Sequence, residues 1–271
     1  MKAETLNTIR SCVTQQHPLI HCITNPISIN QCANAILAVG ACPIMAEHPK
    51  EAAEITATAA ALMLNLGNIT DVRMESTQIS AQAACEKNLP VILEAVGIAC
   101  SELRRSFACQ LIGMAQICVI KGNYSEINAL HNTAYRSAGV DAEGALDVSV
   151  ITQAAAELAV KYNTIILASG QTDIVTDGKQ VIYINNGTPQ LAQVTGTGCM
   201  LGALCACFLS VHRGISAVAA ACAVLGICGK LSETEKGSGS FMVKLMDKLS
   251  RLTDLELERY LDLEERKIER I

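Results

Sequence analysis

Val194-Thr195-Gly196-Thr197-Gly198-Cys199-Met200-Leu201-Gly202 decides how the rest of this chain is read. Two glycines and two threonines lead into an apolar run, Met200 to Val211, with the composition of a buried helix. A glycine-rich turn that opens a helix offers free backbone N–H groups and the positive end of the helix dipole, so it suits an anion. Cys199 falls in the first turn, where a thiol's pKa tends to drop. Phosphate chemistry and thiol chemistry are both open at this point.

Upstream of the turn, short apolar runs alternate with longer Ala-rich ones. The runs predict strands at Leu19–Ile23, Pro43–Ala46, Leu62–Asn65, Val91–Glu94, Ile117–Lys121 and Thr164–Ala168. Helices are expected over Ile29–Val39, Pro49–Ala61, Val72–Asn88, Glu102–Met114 and Val148–Tyr162. This alternation predicts an α/β fold, a mostly parallel sheet with helices on both faces and ligands outside the carboxyl ends of its strands. Ile174–Ile184 reads as a hairpin turning near Asp177-Gly178, which adds antiparallel strands late in the chain. Beyond Gly198 the pattern predicts helix to the end. The last of these helices is Asp254–Ile271, charged, with Leu255, Leu261 and Leu263 as its apolar side. No linker or internal repeat divides residues 1–271, so one domain is expected.

Composition narrows the function classes. Half of the 271 residues are apolar and only 3% are aromatic, so aliphatic and Ala packing fills the core. The net charge of −5 argues against non-specific nucleic-acid binding, which needs a basic face. Cys199–Val211 and Ile215–Gly229 are separated by His212 and Arg213, and neither reaches a membrane-spanning length. The thirteen cysteines are odd in number, scattered and free of any C-x-x-C pair. Most of the others lie inside apolar segments and read as small buried hydrophobes, Cys199 excepted, and so many unpaired thiols point to a reducing, cytoplasmic setting. No Lys/Arg cluster followed by an apolar stretch opens the chain, so no signal peptide is expected.

Polar or glycine-containing groups follow five successive strands: Thr24-Asn25-Pro26-Ile27-Ser28, Leu66-Gly67-Asn68, Glu94-Ala95-Val96-Gly97, Lys121-Gly122-Asn123 with Glu126, and Ser169-Gly170. No G-x-x-x-x-G-K-[ST] motif exists, and Gly196-x-Gly198 lacks the third glycine of a dinucleotide fingerprint. A nucleotide-dependent kinase of another build fits the pattern. Glu94 and Glu126 are hard oxygen ligands suited to Mg²⁺ with phosphate. Lys121 is a point charge for a phosphate, and Ser169 a small hydroxyl for a phosphate or its metal. The Gly196–Gly198 turn suits the transferring phosphoryl group.

The chain resembles the hydroxyethylthiazole kinase family of the ribokinase-like superfamily. The resemblance rests on Thr24-Asn25-Pro26-Ile27-Ser28, Asn65-Leu66-Gly67, Val96-Gly97, Lys121-Gly122-Asn123 with Glu126, Val175-Thr176-Asp177-Gly178, Val194–Cys199 and Gly237-x-Gly239-Ser240-Phe241. It implies a three-layer α/β/α fold and ATP-dependent phosphorylation of 4-methyl-5-(2-hydroxyethyl)thiazole in thiamin biosynthesis or salvage. It also implies a homotrimer with sites between subunits. Carried over residue by residue, it makes Met45 a thiazole contact, with Asn25 in the matching loop and Gly196 a backbone contact near substrate and phosphate. Lys121 and Ser169 fall at ATP positions. Cys199 takes the position of the aspartate base of related sugar kinases. Glu94-Ala95 stands where the family usually has Asp-Pro, and Gln171 where it often has Glu. Rival readings are hydroxymethylpyrimidine kinase, an ATP-dependent hydrate dehydratase, a Cys199 thiol enzyme and a non-catalytic binder.

Overall fold

The computed structural model describes residues 1–137 and 146–268. From the N-terminus run α1 (Ala3–Gln16), β1 (Leu19–Ile23), α2 (Ile29–Ala38), β2 (Cys42–Ile44), α3 (Pro49–Thr58), β3 (Ala61–Asn65), α4 (Asp71–Glu86), β4 (Val91–Glu94), α5 (Glu102–Met114) and β5 (Val119–Asn123). α6 (Tyr124–His131) and α7 (Val148–Tyr162) precede β6 (Ile165–Ser169), and β7 (Asp173–Thr176) pairs with β8 (Gln180–Ile184) as the expected hairpin. The chain continues through α8 (Pro189–Ala192), α9 (Thr197–Val211), α10 (Ile215–Leu231), α11 (Ser238–Arg251) and α12 (Asp254–Tyr260) to β9 (Leu263–Lys267).

Among the described residues, nine strands lie in the order β2-β1-β3-β4-β5-β6-β7-β8-β9. Neighbours from β2 to β6 are parallel, and β7, β8 and β9 add antiparallel. β3 and β4 are buried along their whole length, as strands covered on both faces must be. One apolar core joins the sheet to α1, α2, α9, α10 and α11. A second fills the other face, against α4, α5, α6 and α7. The result is the expected α/β/α sandwich. Helix starts are marked by side chains that accept first-turn amides: Thr70, Ser101, Asn123, Asp147 and Thr253. The β7–β8 turn holds because Asp177 Oδ1 accepts from Lys179 and Gln180 N–H, while Gly178 takes φ +82°.

The C-terminus departs from expectation. Helix stops at Tyr260, and Leu263–Lys267 pairs antiparallel with β8 over five registers. Leu257 is the buried residue of α12, whereas Leu255 is 77% exposed. The run Leu263-Glu264-Glu265-Arg266-Lys267 has helix-favouring side chains and no alternation to betray a strand. The open edge of β8 supplies the ladder that decides its conformation. Residues 269–271 of the expected helix lie outside the described residues. A smaller shift occurs at Pro49–Ala61, where helix ends at Thr58 and Ala61 already opens β3.

Candidate active site

Strand order reverses at β1, which has β2 on one side and β3 on the other. Such a switch point opens a crevice at the carboxyl ends of the strands. Asn25 follows β1 there, and Asn65 ends β3. Asn65, Glu94 and Lys121 then sit opposite one another in register across β3, β4 and β5, and all three are buried. Two residues back, Met63, Ile92 and Val119 pack in the same core as α9, so this polar row points at α9.

The row is tightly bonded. Lys121 Nζ donates to Glu94 Oε1 at 2.6 Å, and Asn65 Nδ2 donates to Glu94 Oε2 at 2.8 Å. Burial works against the Lys121 charge, but the Glu94 carboxylate outweighs it and holds the ammonium above its ordinary value. α9 lies directly on this pair because it presents glycines one turn apart. A Cβ at Gly198 would stand 3.7 Å from both Glu94 Oε1 and Lys121 Nζ; one at Gly202 would meet Met63 Cε at 2.8 Å and Glu94 Oε2 at 3.1 Å.

Gly196 is the N-cap of α9, at φ +91°, and no side chain caps the helix. The first-turn amides of α9 are therefore left to an anion or water. Thr197 Oγ1 donates to Leu191 O at 2.9 Å and ties the turn to the preceding loop. A Cβ on Gly196 would reach Ser28 Cβ at 3.3 Å, so the β1–α2 loop forms the facing wall. Asn25 Oδ1 holds that loop by accepting from the N–H groups of Ile27 and Ser28, both at 3.1 Å.

Cys199 Sγ receives Asn65 Nδ2 at 3.1 Å and Asn25 Nδ2 at 3.6 Å. Its pKa does not fall. Burial and the Glu94 carboxylate raise it; hydrogen bonds from Ser28 and Asn65 and the Lys121 charge only moderate the rise. Cys199 does lie at a helix start, but the Glu94 carboxylate beneath that turn works the other way. His21 does not serve the thiol either: its ring bonds Thr56 Oγ1 at 2.9 Å and Ala46 O at 2.8 Å inside the core.

Asn123 and Glu126 form a capping box at the start of α6. Glu126 Oε2 accepts from Asn123 N–H at 2.8 Å, and Oε1 accepts from Gly97 N–H at 2.7 Å. Burial lifts the Glu126 carboxyl to about 7 against those two amides and the Lys121 charge. Ser169 stands opposite Asn123, and its Oγ donates to Gly122 O at 3.3 Å. Met45 lies beyond β2, half-buried on the apolar margin of the same face.

Asn25, Glu94, Lys121, Gly196 and Cys199 are thus brought together, with Glu126 and Ser169 along the same edge and Met45 at its margin. Sequence reasoning passed over the side chain at the centre, Asn65. The available signal was positional, since Asn65 ends an apolar strand as Glu94 does. Asp173 was also missed. It starts β7 beside Gly170, whose N–H its Oδ1 accepts at 3.1 Å.

A sandwich of this order, with its crevice at the β1–β3 switch, has the ribokinase-like build. A solved Enterococcus faecalis protein described as ribokinase-like superfamily matches it with TM-score 0.65 at 12% identity, over 96% of this chain and 95% of that one. The chain belongs to the hydroxyethylthiazole kinase family, whose pattern it matches over residues 11–255. Hydroxyethylthiazole kinase 2 of Clostridium botulinum strain Hall is 42% identical over 252 residues, 91% of this chain and 95% of that protein. A solved hydroxyethylthiazole kinase protein from Pyrococcus horikoshii OT3 matches with TM-score 0.89 and 31% identity, over 98% of this chain and all of the other (100%).

Proposed function

We propose that this protein phosphorylates the primary alcohol of 4-methyl-5-(2-hydroxyethyl)thiazole with ATP, in thiamin salvage. Family membership supports the substrate. The observation that carries the chemistry is the uncapped N-terminus of α9 resting on the buried Lys121–Glu94 pair. Phosphoryl transfer depends chiefly on positioning and charge stabilisation. In this reading the amides of Gly196 to Cys199 hold the transferring group, and Lys121, paired with Glu94, lies beneath them. Asn25 and Gly196 border the alcohol, and Met45 offers its ring an apolar wall. Lys121 and Ser169 flank the ATP phosphates. With its thiol raised, Cys199 shapes the site around the alcohol rather than acting as a strong base.

Magnesium bound with ATP would offset phosphate charge. Glu126 fits such an ion: a buried carboxyl raised to about 7, which accepts from two backbone amides, gains from a nearby cation. Glu94 suits it less directly, because both its oxygens already accept protein donors and its charge is matched by Lys121.

A homotrimer with sites between subunits is part of the reading. Ile27, beside Asn25, is 59% exposed, and Leu37 and Val243 line an open groove between α2 and α11. A second copy would cover them. Thirteen free thiols support a reducing, cytoplasmic setting, and no helix among the described residues is long and apolar enough to cross a membrane.

The test is an assay with ATP, Mg²⁺ and the thiazole alcohol, followed for ADP and thiazole phosphate. Stoichiometric formation of both is expected. Folded protein without turnover overturns the reading, and inactivation by alkylation of an ATP-independent activity would favour thiol chemistry instead.

A further inference from the structure

Asn65 makes more side-chain hydrogen bonds than its place in the core needs. Its Oδ1 accepts the Gly67 N–H at 2.7 Å, which fixes which way the amide points: turned over, two N–H groups would face each other. The fixed Nδ2 has two hydrogens. One goes to Glu94 Oε2 at 2.8 Å and the other to Cys199 Sγ at 3.1 Å. Asn25 Nδ2 approaches Oδ1 at 3.4 Å, which brings the β1–α2 loop into the same frame. One buried amide therefore joins the end of β4, the first turn of α9 and the loop that faces Gly196.

We infer that Asn65 is a positioning residue for phosphoryl transfer, orienting Glu94 and Cys199 together beneath the α9 turn through its two N–H groups. This rests on the kinase reading for its consequence, though its geometry does not. A simpler role, satisfying the Gly67 amide, uses only Oδ1 and leaves both N–H groups free to bond anything. That they meet Glu94 on the sheet and Cys199 on α9, one from each side of the crevice, is what the simpler role does not explain. Misplacing reacting groups by about 1 Å costs on the order of 10²-fold in rate. Loss of this link therefore acts on kcat while the outlying binding contacts survive.

Asn65→Asp separates the two roles. Aspartate keeps an oxygen for the Gly67 N–H, but has at most one hydrogen to give. Glu94, the stronger acceptor, takes that hydrogen when it is present, so Cys199 loses the Asn65 donor in either protonation state and keeps only those from Asn25 and Ser28. The test measures kcat and both KM values, and also the iodoacetamide labelling rate of Cys199 without substrates. Exposed Cys42, Cys85, Cys100 and Cys109 serve as internal standards.

We expect kcat to fall at least about tenfold, with KM for ATP and for the alcohol little changed. Cys199 labelling should slow against the four standards, since a donor that favours the thiolate is gone. Near-normal kcat, or unchanged Cys199 labelling, overturns the inference. Asn65→Ser, uncharged and smaller, is carried in parallel and must show the same split should the aspartate variant not fold. If wild-type protein shows no kinase turnover, the functional reading fails on its own, while the labelling comparison still decides whether Asn65 controls Cys199.

Discussion

The two halves of the sheet are held together differently. β1 and β3 to β6 are parallel and covered on both faces; at their ends Asn65, Glu94 and Lys121 bond one another, and Asn123 and Ser169 face each other in register. β7 to β9 are antiparallel and end at an exposed, charged edge. The parallel half concentrates polar groups where its ladders stop, so its chemistry and its stability share residues. The antiparallel half supplies shape, bringing the loop after β8 against α10 and closing the sheet. Substitutions should separate these tasks.

The largest effect is expected at Lys121. Lys121→Met leaves Glu94 buried without its counter-charge, and breaking a buried pair from one side costs about 3–5 kcal/mol. Urea unfolding should show a loss of that order, and the kinase assay a loss of activity. Adding Glu94→Gln should restore much of the stability and none of the activity. A single-variant loss as small as that of a surface pair would show that the parallel half does not depend on its polar row.

Gly226→Ala tests the other half. Gly226 lies within α10, where a Cβ would stand 2.5 Å from the backbone oxygen of Asn186, just past β8. Asn186 also receives Asp262 N–H at 3.0 Å and donates to Tyr260 O at 2.6 Å, so the loop cannot yield alone. Overpacking of this kind costs about 1–3 kcal/mol. The expected result is lower stability with KM values nearly unchanged. A selective rise in KM for ATP would place this loop in the nucleotide site and blur the contrast between halves.

The same contrast explains what the sequence revealed. Parallel strands buried on both faces must be apolar throughout, so Leu19–Ile23 and Val91–Glu94 were read to their boundaries. Their polar termini then stood out as site residues. β9 carried no such mark. Its single partly buried side chain is Leu263, and the edge of β8, a distant segment, decides its conformation. The ion pair was hidden for a related reason. Lys121 and Glu94 each looked like a group waiting for a ligand, because adjacency across strands is a property of register rather than of spacing. Cys199 was misread likewise, since the helix N-terminus is visible in sequence and the opposing carboxylate is not.

Asp173 sits at the seam of the two halves and gives a smaller, pH-dependent effect. Burial raises its carboxyl to about 6, against the Gly170 amide, the Lys121 charge and the Cys222 thiol. In the unfolded chain the group titrates at about 3.9. The folded state thus holds the proton more tightly, so the contribution is fully present below pH 4, shrinks as pH rises, and is gone above 6. Asp173→Asn keeps an acceptor for Gly170 and removes the titration. Between pH 4 and 6 the wild type should lose urea stability relative to the variant, with parallel behaviour above that window. A difference that is independent of pH would mean that Asp173 is ionised throughout and belongs with the charged row of the parallel half.

The smallest effect on stability is expected at β9, where the consequence is of another kind. An edge strand offers unpaired N–H and C=O groups to any second strand, and charged side chains are a common defence. Glu264, Glu265, Arg266 and Lys267 are all exposed. Arg266 pairs with Glu264 on the same strand at 2.5 Å and lies over the Tyr183 ring, and Glu265 takes the Met1 ammonium at 2.7 Å; surface contacts of this kind add little to folding. Replacing Glu264, Glu265 and Arg266 together with Val keeps the β8 ladder, raises β propensity and removes the charges. The urea midpoint of dilute protein should stay near that of the wild type, while light scattering at high concentration should rise with time. A lowered midpoint without scattering would contradict this, because it would make the charges part of what folds the antiparallel half. Their proposed role is to stop the sheet from growing beyond its ninth strand.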